Sequence, residues 1–200
     1  MRSFLAVGLI LSVALVFAGC AKPPTQELDA AQAALDEAKK AEADIYAPDA
    51  YRSASNALNE ARAKVEQKDY EGAKASALQA KQLADRSRTE AETSKRTTRD
   101  EAQALVNSVS SGLTDARTAL NSAPKGKGAD EDLDQLRSDL GQAETSLSDA
   151  RNSLNAGKYK DAQSQARSAE SRLAQVQGSV QTAMQKIEEW KKVNLPWFEL

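Results

Sequence analysis

Beyond residue 26, apolar positions recur at alternating steps of three and four along almost the whole chain. That spacing places them on one face of an α-helix. A first helix is predicted from about Glu27 to Tyr46, with Leu28, Ala31, Leu35, Ala38, Ala41 and Ile45 on its inner face. The segment "APD" at 47–49 punctuates the pattern, and Pro48 suits the opening turn of a second helix carrying Tyr51, Ala54, Leu58, Ala61 and Val65. "KDY" at 68–70 turns the chain, and a third helix opens with Tyr70, Ala73, Ala77, Ala80 and Ala84.

The rhythm then lapses. Residues 86–100, "RSRTEAETSKRTTRD", hold one apolar side chain, Ala91, with charges of both signs and neither proline nor glycine. This reads as a solvated helical connector, with a disordered break as the alternative. Apolar spacing returns at Ala102, Leu105, Val109, Leu113, Ala116 and Leu120. "NSAPKGKGADED" at 121–132 is the clearest loop. A further helix carries Leu133, Leu136, Leu140, Ala143, Leu147, Ala150 and Leu154, and "NAGKY" makes the next turn. The last helix runs from Tyr159 through Ala162, Ala166, Ala169, Leu173, Val176, Val180, Ala183 and Ile187 to Trp190 in one heptad seam.

The seams repeat. Setting Tyr70 on Tyr159, without gaps, puts Ala54 on Ala143, Leu58 on Leu147, Ala61 on Ala150, Val65 on Leu154 and Ala77 on Ala166. The first helix aligns with 105–120 at a shorter offset, Ala34 on Val109 and Ile45 on Leu120, the difference being absorbed by the 121–132 loop. The expected fold is therefore all-α: an elongated antiparallel helical bundle or coiled coil of two duplicated three-helix units sharing a long central helix. The expected boundaries are 27–90 for the first unit, 91–190 for the second, and 191–200 for an aromatic C-terminal tail.

The N-terminus is of another kind. Arg2 precedes the apolar run "FLAVGLILSVALVFA" at 4–18, which is shorter than the about 20 residues of a membrane-spanning helix and has the length of a secretory h-region. It ends in "FAGC", whose cysteine, Cys20, is the only one in the chain. This ending resembles the bacterial lipobox, with Phe17 where Leu or Val is usual. The resemblance implies that residues 1–19 are a lipoprotein signal peptide and that Cys20 carries lipid on its thiol and on the new amine. Each buried CH₂ contributes about 0.8 kcal/mol, so several acyl chains make a lasting anchor. Pro23 and Pro24 keep the 20–26 linker extended, and six such residues reach at most roughly 20 Å.

Composition narrows the functional classes. Twenty-seven basic against 29 acidic residues leave a net charge of -2, so no nucleic-acid partner is expected. Histidine is absent, which excludes a Ser-His-Asp triad and a histidine metal site. No enzyme activity, cofactor, metal or small-molecule substrate is expected. "ADEDLD" at 129–134 reads as an N-cap with acids on the helix dipole rather than a cation site. "PKGKG" at 124–128 lacks the spacing of a phosphate loop. Arg86, Arg88, Lys95, Arg96 and Arg99 read as one side of internal ion pairs with Asp85, Glu90, Glu92 and Asp100. The candidate interaction residues are Trp190, Trp197 and Phe198 in "WKKVNLPWFEL". They either fold back to plug the bundle end or serve as a docking peptide.

Residues 24–84, with the core "APDAY...A...L..A......DY..A...A..A", resemble uncharacterised bacterial lipoproteins. These carry an Ala-rich helical domain of unknown function after the lipid cysteine, sometimes ahead of an OmpA-like peptidoglycan-binding domain. No OmpA-like pattern follows here. The resemblance implies an envelope lipoprotein, expected at the outer membrane facing the periplasm. Its partners would be the bilayer, through Cys20, and another envelope protein or a second copy of itself. The expected role is structural or adaptor. The alternative is a periplasmic binding module or chaperone holding peptides or apolar ligands between its helices.

Overall fold

A computed structural model describes residues 22–123 and 130–194, all of them helix or short connection, with no strand among them. The helices are α1 (Thr25–Lys40), α2 (Ala43–Tyr46), α3 (Pro48–Glu66), α4 (Tyr70–Ser122), α5 (Asp130–Asn155) and α6 (Tyr159–Asn194). The chain is an all-α helical bundle. Its helices form two compact units that divide between Ser94 and Lys95, where the sequence placed the division at 90/91.

In the first unit, tight turns reverse the chain between α1, α3 and the opening half of α4. Their seams meet in a core of Leu35, Ala54, Leu58, Ala80 and Ala84, with Leu28 and Tyr51 at its margin. Ala38, Ala61, Ala73 and Ala77 are fully buried. Alanine has no side-chain entropy to lose and lets backbones approach, so this core is thin and close-packed. Polar links tie the helices across it. Arg62 Nη2 donates to Gln32 Oε1 at 2.8 Å, Lys74 Nζ lies 3.2 Å from Glu27 Oε1, and Lys64 Nζ donates to Ser76 Oγ at 2.9 Å.

The second unit repeats that arrangement with α4, α5 and α6 and larger side chains. Val109, Leu113, Leu120, Leu133, Leu140, Leu147, Leu173 and Val176 fill its core. Register follows from the cross-links. Arg117 pairs with Glu144 and Arg151 Nη2 donates to Ser110 Oγ at 2.6 Å, so α5 runs against α4. Lys186 pairs with Asp132 at 3.0 Å and Arg172 Nη1 donates to Gln142 Oε1 at 2.7 Å, so α6 runs against α5 and alongside α4.

The duplication is visible bond by bond at the two inner turns. Lys68 N–H donates to Val65 O at 2.9 Å and Asp69 N–H to Lys64 O at 2.9 Å. At the aligned positions, Gly157 N–H donates to Leu154 O at 3.1 Å and Lys158 N–H to Ser153 O at 2.9 Å. Both are Schellman endings, which need a left-handed residue after the helix. That residue is Lys68 (φ 63°) in one copy and Gly157 (φ 76°) in the other. A Cβ on Gly157 would meet nothing within 4 Å, so the cost of a side chain there is backbone strain alone. We expect Gly157→Ala to destabilise by about 1 kcal/mol and Lys68→Gly to stabilise by up to about 1 kcal/mol. Urea denaturation of the two variants measures both.

Four expectations are corrected. The first helix does not continue to Tyr46: it breaks at Glu42, whose φ is 60°. The break turns the larger Tyr46 inward and leaves Ile45 47% exposed, reversing the faces that one continuous helix would give them. The 86–100 stretch is helical as expected, part of an uninterrupted α4, but it is not wholly solvated, because Ser87 and Ala91 are fully buried. The Ser87 hydroxyl is satisfied by Ala84 O at 2.9 Å, so it costs little to bury. The 121–132 loop is narrower, since α4 reaches Ser122 and α5 starts at Asp130; Asp130 is therefore the first helical residue and not the cap before it. Finally, α6 takes residues 191–194 from the expected tail. Lys191 and Lys192 suit the negative end of its dipole, and no breaker precedes Pro196.

Candidate functional site

Of the residues singled out in the sequence, Cys20, Trp197 and Phe198 lie outside the described residues. Trp190 lies at the end of the α6 seam and is 40% exposed. It sits beyond the last level at which α4 and α5 accompany α6, because Asp132, near the start of α5, pairs with Lys186. The seam residues before it, from Ala162 to Ile187, are buried.

The charged stretch of α4 has the internal pairing expected of it. Arg86 Nε lies 2.7 Å from Glu90 Oε1, Arg88 Nε 4.0 Å from Glu92 Oε1, and Arg99 Nη2 2.8 Å from Asp100 Oδ1. Exposed pairs of this kind contribute well under about 1 kcal/mol each, and they leave little net positive field to attract an anionic surface. At 129–134 the acids diverge: Asp132 turns to Lys186 and Asp134 to Arg137 at 2.5 Å. Among the described residues no three Asp, Glu or Cys side chains gather where a metal ion could be held. The "PKGKG" segment lies outside the described residues.

Three open grooves run between the helices of the second unit. The α5–α6 groove, about 310 Å³, is lined by Asp132, Gln135, Asp139 and Lys186. The α4–α5 groove, about 250 Å³, presents Ser110, Arg117, Glu144 and Arg151. Here each arginine is held by a neighbour across the groove, Glu144 for Arg117 and the Ser110 hydroxyl for Arg151. The α4–α6 groove, about 300 Å³, differs in kind, being lined by Ala116, Ala119, Val180, Met184 and the amides of Gln177 and Gln181. It was missed in the sequence, although its α6 side left a signal: residues 173–185 carry no charged side chain.

Two carboxylates in the first unit are perturbed. The carboxyl of Glu27 lies below its ordinary 4.5, through a hydrogen bond from its own backbone amide and then Lys74. That of Glu60 is lowered by its hydrogen bond and charge attraction with Lys64. A carboxylate whose folded value is depressed adds stability above its unfolded value and loses it as pH falls through the folded one. Thermal stability should therefore decline below about pH 4.5, and Glu27→Gln with Glu60→Gln should flatten that decline in melts between pH 6 and pH 3.

Among the described residues no helix is long and apolar enough to cross a membrane. No curated protein and no solved structure matches the chain. Residues 26–105, from α1 into the second half of α4 and so past the end of the first unit, match the family described as Domain of unknown function (DUF4398).

Proposed function

We propose that the protein is an envelope lipoprotein with a non-enzymatic structural or adaptor role, held to the outer membrane through acylated Cys20 and facing the periplasm. The observation that supports this reading is the position of Cys20, the only thiol, between an apolar leader and a helix that starts at Thr25. Four residues, and so five Cα steps, separate the two, so the first unit would stay within roughly 18 Å of the lipid headgroups. Lys22 and Pro23 are exposed and lie outside any helix.

The adaptor reading draws on the surfaces. Both heptad seams are spent inside the two cores, so a partner would have to use an outer face. The ligand-holding alternative would require the helices to part, because alanines pack them at full burial.

Cell fractionation tests the anchor. The native chain is expected in the membrane fraction and labelled by a fatty-acid analogue. Cys20→Ala should lose the label and move to the soluble fraction or accumulate as uncleaved precursor. A native chain that is soluble and unlabelled would refute the proposal.

A further inference from the structure

We propose that the α3–α4 turn is the end of the first unit that meets the membrane surface, with Lys68 and Lys22 set against lipid phosphates. The inference rests on the acyl anchor at Cys20 and adds to it the face that the anchor brings down.

Cross-links fix which helix ends lie together. Lys74 of α4 pairs with Glu27 of α1 at 3.2 Å. Arg62 of α3 donates to Gln32 of α1 at 2.8 Å, and Lys64 of α3 to Ser76 of α4 at 2.9 Å. The start of α1, the end of α3 and the start of α4 therefore share one end of the unit. α2 and the start of α3 lie at the other, about 24 Å away along the 16 residues of α1. A tether of at most roughly 18 Å between Cys20 and Thr25 is shorter than that, so it holds the α3–α4 end to the bilayer.

The turn itself supplies a second, independent observation. Its Schellman ending needs a left-handed residue. The aligned turn of the second unit meets that need with Gly157, whereas the first unit keeps Lys68 there (φ 63°), although glycine would adopt that conformation without strain. Strain of this kind is found where a side chain serves something other than the fold. Lys68 is exposed at the tip of the turn and Lys22 is exposed in the tether, and no ion pair among the described residues holds either ammonium. The nearby acids are largely engaged. Glu27 faces Lys74, Glu60 faces Lys64, and Asp69 accepts the Gly72 N–H at 3.0 Å. Glu71 lies in the first turn of α4, on the positive end of its dipole. Glu66 and Asp29 stand back from the tip, within α3 and α1. The cations at the tip are thus the groups offered to anionic headgroups, which attract lysines close to the surface.

Photo-crosslinking of the full-length protein on vesicles containing phosphatidylglycerol tests it. A benzophenone side chain replaces exposed Gln67 at the turn or exposed Asp44 at the other end, and lipid adducts are measured after illumination. Adducts should form from Gln67 and not from Asp44. Lys68→Gly relieves the strain and so keeps the fold, yet it should cut the Gln67 adduct about fivefold, the share of one cation at an anionic surface. Vesicles of phosphatidylcholine alone should cut it further. Equal adducts at the two sites, or a Gln67 adduct indifferent to both changes, overturn the proposal. Flotation with the vesicles is scored separately. A native chain that fails to float counts against the acyl anchor, and coupling its free Cys20 thiol to a maleimide-bearing lipid then puts the turn to the same test.

Discussion

Leu58→Ala is expected to destabilise the first unit by about 3 kcal/mol, within the range for truncating a buried leucine. Leu58 is among the few large side chains in that core, fully buried where α1, α3 and α4 meet. Its neighbours are mostly alanines, which have no length to reach into the space left behind. The cavity should persist, and its cost should add to the lost transfer energy. In the second unit the aligned residue is Leu147, in a core that keeps the flanking alanines but has Val109 and Leu113 where the first unit has Ala34 and Ala38, and these longer side chains can partly collapse on a void. Leu147→Ala should therefore cost less than Leu58→Ala, and denaturant unfolding of the two variants gives the comparison. Equal costs would show that the alanine core relaxes as readily as the leucine core.

The converse substitution is expected to be as damaging. Ala77→Leu should cost about 2–3 kcal/mol by overpacking. Ala77 is fully buried on α4 between Ala73 and Ala80, with Ser76, Lys64 and Glu60 linked alongside. A leucine there must push α3 and α4 apart, which loosens the Lys64–Ser76 hydrogen bond at the same time. Measured loss of stability, together with faster amide exchange in 54–66 and 70–84, checks this. An Ala77→Leu variant as stable as the native chain would mean that helix spacing in this unit is not set by alanine.

Much of the fold was legible because alanine at steps of three and four has few readings other than a tightly packed helix. The duplication was legible for a related reason: Tyr70 and Tyr159 stand at the same place in two seams, and the turns before them repeat their hydrogen bonds. The break at Glu42 was not legible. No glycine or proline marks it, and the left-handed residue is a glutamate, a type that rarely adopts that conformation. The burial of α4 through the charged stretch was hidden too. Ser87 stands where the seam needs a small side chain, and a serine does not register as apolar. The α4–α6 groove escaped notice because its signal, on α6, is missing charge and not a motif. Cys20 lies outside the described residues, and its reading as a lipidation site rests on the sequence, where an apolar run, two small residues and a lone thiol coincide.

The account depends most on what Cys20 becomes. Intact-mass and peptide-level mass spectrometry of the protein taken from its native membranes measures this directly. The prediction is a mature chain that begins at Cys20 and carries fatty acyl groups on that residue. A chain that begins upstream of Cys20, or begins there with a free thiol and a free amine, would contradict the account.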